Sequence, residues 1–235
     1  MAFASPWCAQ FYDKTLVEGR DYLQTIAYAK GDLARGKNVQ ITWRWPLVRS
    51  PKCGVFGIPH IAWGNYDSGA VYSPVAPRQV FAINDLTVAY EVEDAAGYAK
   101  GVQGYNGLAE FYLTKVAGDA NTKAIEIGWF WNTPKETRDW MLTGRQLGVW
   151  KDRFKQSWRV SVMKSGVAGT FATFSPNNAT GRDVKGMLDA KGAIAFLQAA
   201  GIVQPSWWFN GIGIGVEPLG GTGTVLVREF TPTLN

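Results

Sequence analysis

Two glutamates lie where an ionisable side chain is expensive. Glu126 sits in Ala124-Ile125-Glu126-Ile127-Gly128-Trp129-Phe130-Trp131, a run with no Lys or Arg to neutralise it. Glu217 closes Gly211-Ile212-Gly213-Ile214-Gly215-Val216-Glu217-Pro218. Read as strands, the first run puts Ile125, Ile127, Trp129 and Trp131 on one face and Glu126, Gly128 and Phe130 on the other. In the second, Ile212, Ile214 and Val216 oppose Gly211, Gly213, Gly215 and Glu217. Glycine inside a strand marks a close approach of backbone or ligand, so this bare track is expected to floor a groove for something flat and wide. Two carboxyls facing across a groove suit hydrolysis of a glycosidic bond. One, ionised, attacks or stabilises the anomeric carbon, and the other donates a proton to the departing oxygen, at about 5–5.5 Å separation for retention. Burial near a second negative charge brings such an acid into its working range. The plainer alternative is an exposed strand glutamate in each case. Shared phase with glycines and aromatics, twice, weighs against it.

Other chemistries are poorly supplied. The chain of 235 residues has a single histidine, His60, and two cysteines, too few for a His-rich metal site or a four-thiolate zinc site. No Gly-x-Ser-x-Gly elbow accompanies His60, which is expected to be structural or a hydrogen-bond donor in the groove wall. Neither a dinucleotide fingerprint nor a phosphate loop is present, so no metal and no organic cofactor is expected. The charge of +5, from 24 Lys and Arg against 19 Asp and Glu, is mild and scattered, which argues against a nucleic-acid partner. The densest basic stretch, Arg145 to Arg159, is expected to be a solvated face. No apolar run of 18 or more residues exists, so no spanning helix and no membrane partner are expected. Met1 to Ala9 lacks the basic and apolar regions of a secretory leader, so any export signal is expected to have been removed already or never to have been there; the protein is expected to be secreted and monomeric. Cys8 and Cys53 would close a loop of about 45 residues, worth about 4 kcal/mol if bonded; two buried thiols are the alternative.

The elements that must hold the glutamates follow from periodicity. With 46% apolar and 18% charged residues the chain can bury a large core. Alternation of period two predicts strands over Asn38 to Trp45, Gln79 to Glu91, Leu108 to Thr114, Ala124 to Trp131, Gln156 to Lys164, Gly169 to Phe174, Trp207 to Val216 and Gly223 to Phe230. One helix is expected, Ala190 to Ala200, with Asp189 as N-cap and Gly201 just past its end. The class is therefore all-β, two packed antiparallel sheets forming one domain over residues 1–235. Trp43, Trp45, Trp129 and Trp131 are expected between the sheets.

At the two glutamates the sequence resembles family 12 of the glycoside hydrolases, small retaining β-jelly-roll enzymes that cut β-1,4-glucans and xyloglucan. Ile41-Thr42-Trp43-Arg44-Trp45 is similar to the family's early Trp-x-Trp strand, and Gly57-Ile58-Pro59-His60-Ile61-Ala62-Trp63-Gly64 to its Tyr-Pro turn. Glu126-Ile127-Gly128-Trp129-Phe130-Trp131 falls at the Glu-Leu-Met-Ile-Trp nucleophile strand, and Gly215-Val216-Glu217-Pro218-Leu219 matches the Gly-Thr-Glu-Pro-Phe acid/base motif. The resemblance spans roughly residues 38 to 230. It implies Glu126 as nucleophile, Glu217 as general acid/base, and Glu110 in place of an Asp that hydrogen-bonds the nucleophile. It also implies a disulfide between Cys8 and Cys53.

Departures bear on the substrate. Gly128 and Phe130 replace the family's sugar-facing Met and Trp, and Gly213 replaces a Gln, so a roomier groove suited to a branched chain such as xyloglucan is expected. Phe130, Gly128, Gly213, Gly215, Trp208, Trp63, Tyr66 and Tyr112 are the expected substrate-binding residues. The function implied is a retaining endo-β-1,4-glycanase, an endoglucanase, cellulase or xyloglucanase, with a polysaccharide as its partner. The alternative is a non-catalytic, lectin-like sandwich that keeps the groove.

Overall fold

A computed structural model describes residues 7–10, 23–45, 58–66, 75–96, 104–178, 184–219 and 221–235. In chain order the strands are β1 (Trp7–Gln10), β2 (Leu23–Ala27), β3 (Lys37–Trp45), β4 (His60–Gly64), β5 (Arg78–Gln79), β6 (Leu86–Ala96), β7 (Tyr105–Thr114) and β8 (Lys123–Asn132). They continue as β9 (Arg145–Lys151), β10 (Ser157–Met163), β11 (Phe171–Pro176), β12 (Lys185–Asp189), β13 (Trp208–Phe209), β14 (Gly211–Pro218) and β15 (Gly221–Leu234). Three short helices, α1 (Lys30–Leu33), α2 (Lys135–Met141) and α3 (Ala190–Ala199), interrupt them.

The larger sheet runs β1-β4-β14-β7-β8-β11-β10-β9, with β13 and β5 joined to β7 at one end. The smaller runs β12-β6-β15-β3-β2. Among the described residues all pairings are antiparallel except β8 with β11, where Glu126 stands opposite Phe171 and Gly128 opposite Thr173. Period-two alternation sends Ile125, Ile127, Trp129 and Trp131 of β8, and Ile212, Ile214 and Val216 of β14, into the core between the sheets. Trp43 of β3 meets them from the smaller sheet. Each such buried large side chain contributes on the order of 2–3 kcal/mol by leaving water. The class is all-β, a jelly-roll sandwich, as the pattern predicts.

Several expected elements break where a polar residue meets a specific partner. The run Gln79 to Glu91 is interrupted by a 3₁₀ turn at Val80–Ala82, and Asn84 and Asp85 then hydrogen-bond the backbone of Asn235. Trp207 to Val216 splits at Asn210, whose Oδ1 accepts from Gly118 N at 2.8 Å and whose Nδ2 donates to Thr114 Oγ1 at 3.0 Å. The basic stretch Arg145 to Arg159 is not simply a solvated face. It forms β9 and the start of β10, and its Leu147, Trp150 and Trp158 reach the core. The backbone of Cys8 pairs with Ala62, whereas Cys53 lies outside the described residues, so the proposed bridge does too.

Helix α3 starts as its sequence predicts. Asp189 Oδ1 accepts from Gly192 N at 2.9 Å and stands 3.5 Å from Arg153 Nε, and Gly201 follows the helix at φ +74°. Asp189→Ala is expected to cost about 1 kcal/mol, lowering the melting temperature by about 2–4 °C for a chain of this size. Asp189→Asn, which keeps a capping acceptor, should lose less; thermal unfolding followed by circular dichroism checks the order.

Candidate active site

The face of the larger sheet turned away from the core carries the site. Strand β7 lies between the two strands that bear the glutamates of the sequence pattern. On it Asn106, Leu108, Glu110 and Tyr112 share the outer face. Glu110 pairs across with Gly128 of β8 on one side and Gly213 of β14 on the other. Glu126 stands opposite Tyr112, and Glu217 opposite Asn106. Period two therefore delivers all three carboxyls to one surface of three adjacent strands.

Two of the three are nearly dry, and Glu217 is half-buried. Glu110 is 4% exposed and Glu126 6%. Burial, then the charges of Glu126 and Glu217, push the Glu110 carboxyl well above the ordinary carboxylate range. The nearby Glu126 carboxyl favours the protonated form of Glu110 both by its charge and as a neighbouring acceptor. Tyr66 donates its phenol to Glu110 Oε1. Burial, followed by the charge of Glu110, raises Tyr66 and Tyr112 as well, so both stay protonated. The Tyr66 ring packs on His60 and Tyr112 with centroids at 5.1 and 5.5 Å. His60 Nδ1 lies 2.8 Å from Ile58 O, and burial pulls this histidine down to about 4, so it is neutral at pH 7. At the far end of the row, Lys123 Nζ stands 4.1 Å over the Tyr112 ring, and its charge interacts with Glu126. Glu217 accepts from Asn106 Nδ2 at 2.9 Å.

The glycine track does not form the open floor its pattern predicts. A Cβ at Gly211 would overlap the backbone of Trp63 and Asn65, and one at Gly215 would overlap Pro59 and His60. At Gly213 it would stand 3.3 Å from His60 Cδ2 and 3.4 Å from the Tyr66 ring. These glycines admit the chain's own neighbouring segment, the other meaning of a strand glycine. A narrow cleft remains beside it, lined by Ile58, His60, Tyr66, Leu108, Glu110 and the 213–215 segment.

The wider groove inferred from Gly128 and Phe130 is not found either. A Cβ at Gly128 would lie 2.9 Å from Phe171 Cε2, because the ring of the neighbouring strand fills the space. Phe130 is buried with Leu108, Met141, Met163 and Phe171, under Trp140 of the α2 segment, and presents no sugar platform. Trp63 faces the opposite way, across from Ile212 and packed on the inter-sheet core. Tyr66 and Tyr112 do lie in the site, but buried against the carboxyls. Trp208 is half-buried opposite Thr114, on the site's face of the sheet.

Three contributors escaped the sequence reading. Asn106 is in phase with Glu110 on β7, so period two was a sufficient signal for it. Phe171 and Gly166 carry no such signal, since they reach the site through the parallel β8–β11 pairing and the turn before it. Gly166, at φ +78°, lies against Glu126 so closely that a Cβ there would overlap Oε2.

Glu110 makes stability pH-dependent in a defined sense. An unfolded glutamate titrates near about 4.3, whereas folded Glu110 keeps its proton to much higher pH. Between those values the folded state binds the extra proton, so stability falls as pH rises. Glu110→Gln removes that term. Its stability relative to wild type, from urea unfolding, is expected to improve between pH 5 and pH 8; an unchanged difference would show that Glu110 is ionised when folded.

The sequence matches no protein-family model and no curated protein. Solved structures do match. Endoglucanase cel12A from Rhodothermus marinus superposes with a TM-score of 0.71 at 18% identity, covering 98% of this chain and 97% of that one. A family 12 xyloglucanase from Bacillus licheniformis gives 0.70 at 16%, covering 100% and 96%. Trichoderma harzianum endoglucanase 3, from the same family, gives 0.67 at 16%, covering 91% and 84%. Identities this low speak for architecture alone, and that architecture is plain: the chain has the fold of the family 12 glycoside hydrolases.

Proposed function

We propose that the protein is a retaining endo-β-1,4-glycanase acting on β-glucan or xyloglucan by double displacement. The observation that carries this reading is the gathering of Glu126, Glu110 and Glu217 on three adjacent strands of one face, with Glu110 under the charge of both others. Glu110 holds a proton, which leaves Glu126 the ionised partner of that pair. In the first step the Glu126 carboxylate forms a bond to the anomeric carbon while the glycosidic C–O bond breaks. Glu217 gives its proton to the departing oxygen. Glu217, now a base, then takes a proton from water, and the water oxygen displaces Glu126 with net retention. Glu110 acts through Glu126, as a donor that orients it. The chemistry draws on the chain's own carboxyls and water. A polymeric glucan is met outside the cell, so the protein is proposed to work as a secreted monomer.

The solved relatives support this reading by fold. Two are endoglucanases and one a xyloglucanase. Since neighbouring aromatic rings fill the positions that Gly128 and Gly213 leave bare, these two glycines do not favour the branched polymer over the linear one.

Reducing-end release from mixed-linkage β-glucan and from xyloglucan tests the proposal. Glu126→Gln and Glu217→Gln are each expected to lower kcat by on the order of 10²–10⁴ while remaining folded. Hydrolysis near the wild-type rate in either variant would remove its assigned role. A wild-type protein that binds glucan without generating new ends would instead be the lectin-like sandwich.

A further inference from the structure

Glu217 is held from outside its own strand. Asn106 of β7 stands opposite it in register and donates from Nδ2 to Glu217 Oε2 at 2.9 Å. Asn106 is itself gripped from the other side: Thr137 Oγ1 donates to its Oδ1 at 2.5 Å. Asn106 and Thr137 are both buried, and Thr137 belongs to α2, an element remote in sequence from both β7 and β14.

An amide can turn over, exchanging donor for acceptor. Here the Thr137 hydroxyl donating to Oδ1 leaves the amide NH₂ directed at Glu217. Helix α2 is fixed in turn by Met141 and Trp140, which pack on Leu108, Phe130, Met163 and Phe171 of the site's face. The Arg138 guanidinium also donates to Thr133 O at the start of the helix. The docking of α2 on that apolar cluster thus reaches the acid/base through two hydrogen bonds.

We propose that Asn106, clamped by Thr137 of α2, is the positioning residue that orients the Glu217 carboxyl for proton transfer. This rests on the double-displacement role of Glu217 proposed above. In that reaction Glu217 must serve as an acid and then as a carboxylate base. A fixed N–H donor favours the carboxylate and aims its other oxygen at the substrate. Neither Asn106 nor Thr137 exchanges a proton with substrate; they act through Glu217.

The test uses the full chain with Asn106→Asp, Thr137→Val and Thr137→Ser, and two readouts. The first is titration of the Glu217 carboxyl by ¹³C NMR, with no substrate present. The second is kcat, KM and the pH profile of kcat/KM on soluble β-glucan. Asn106→Asp sets a second carboxyl beside Glu217, and the midpoint of Glu217 should rise by about one pH unit or more. Thr137→Val removes only the clamp. It is expected to raise the midpoint less and to lower kcat by about three- to tenfold at near-constant KM. Thr137→Ser restores the donor and should return both values toward wild type. Superimposable Glu217 titrations in the wild type, Asn106→Asp and Thr137→Val would overturn the proposal, whatever their activities. The titration needs no turnover, so moved midpoints in a protein that cleaves no glucan would keep the clamp and discard the reaction.

Discussion

Three carboxyl groups lie on neighbouring strands, two of them buried and the third half-buried, and so close a row resists full ionisation. Glu110 stands between Glu126 and Glu217, feels the charge of both, and is more buried than an isolated carboxylate tolerates. The proton it retains is the constraint from which the site's arrangement follows. It converts the middle member of the row from a repelling anion into a neutral group beside Glu126. The two outer members are then separated by a neutral group rather than by a third charge. A longer carboxylate than the Asp of the resembling family can fill this place because Tyr66 meets its other oxygen. His60 and Tyr112 wall in the Tyr66 ring in turn.

Each carboxyl is thus held by a residue from a different part of the chain. Tyr66 follows β4 and reaches Glu110; Asn106 belongs to β7 and reaches Glu217; Gly166, in the turn between β10 and β11, lies against Glu126. The Tyr66 and Asn106 donors offset the desolvation of a buried acid only when their own positions are fixed. The core supplies that fixity. The residues facing inward from β7, β8 and β14 are Phe111, Trp129, Ile214 and their neighbours, packed without exposure, so the outward-facing partners in the same strands have little freedom to drift.

What the sequence made legible was whatever one strand can encode alone. The inward row Ile125, Ile127, Trp129, Trp131 and the outward Glu126 follow from period two, as does the phase of Glu217, because alternation is a property of a single chain segment. Asp189 and Gly201 mark the bounds of α3 for the same local reason. Contacts between distant segments were not legible. Trp63 lies at the same level as the glycine track but on the core side, a matter of β4's register against β14. Helix α2 is too short for a periodic signal, although through Thr137 and Asn106 it reaches Glu217. The carboxyls that share this face could be named from sequence, and most of the residues packed against them could not.

The groove's width shows why single-strand inference fails in a definite direction. Gly128 lacks the side chain that the family pattern places there, and a strand considered alone then looks bare. Yet β8 pairs in parallel with β11, and the Phe171 ring, one register step away, lies where the missing atoms would be. Gly213 behaves alike, with His60 and Tyr66 against it. Dense packing makes this compensation the expected outcome, since a void between ordered strands forfeits contacts on every wall, whereas a ring from the adjacent strand recovers them. Volume in such a groove belongs to the sheet as a whole. A change from large to small on one strand therefore carries information about substrate only together with the residues on either side, and here those residues close the space again.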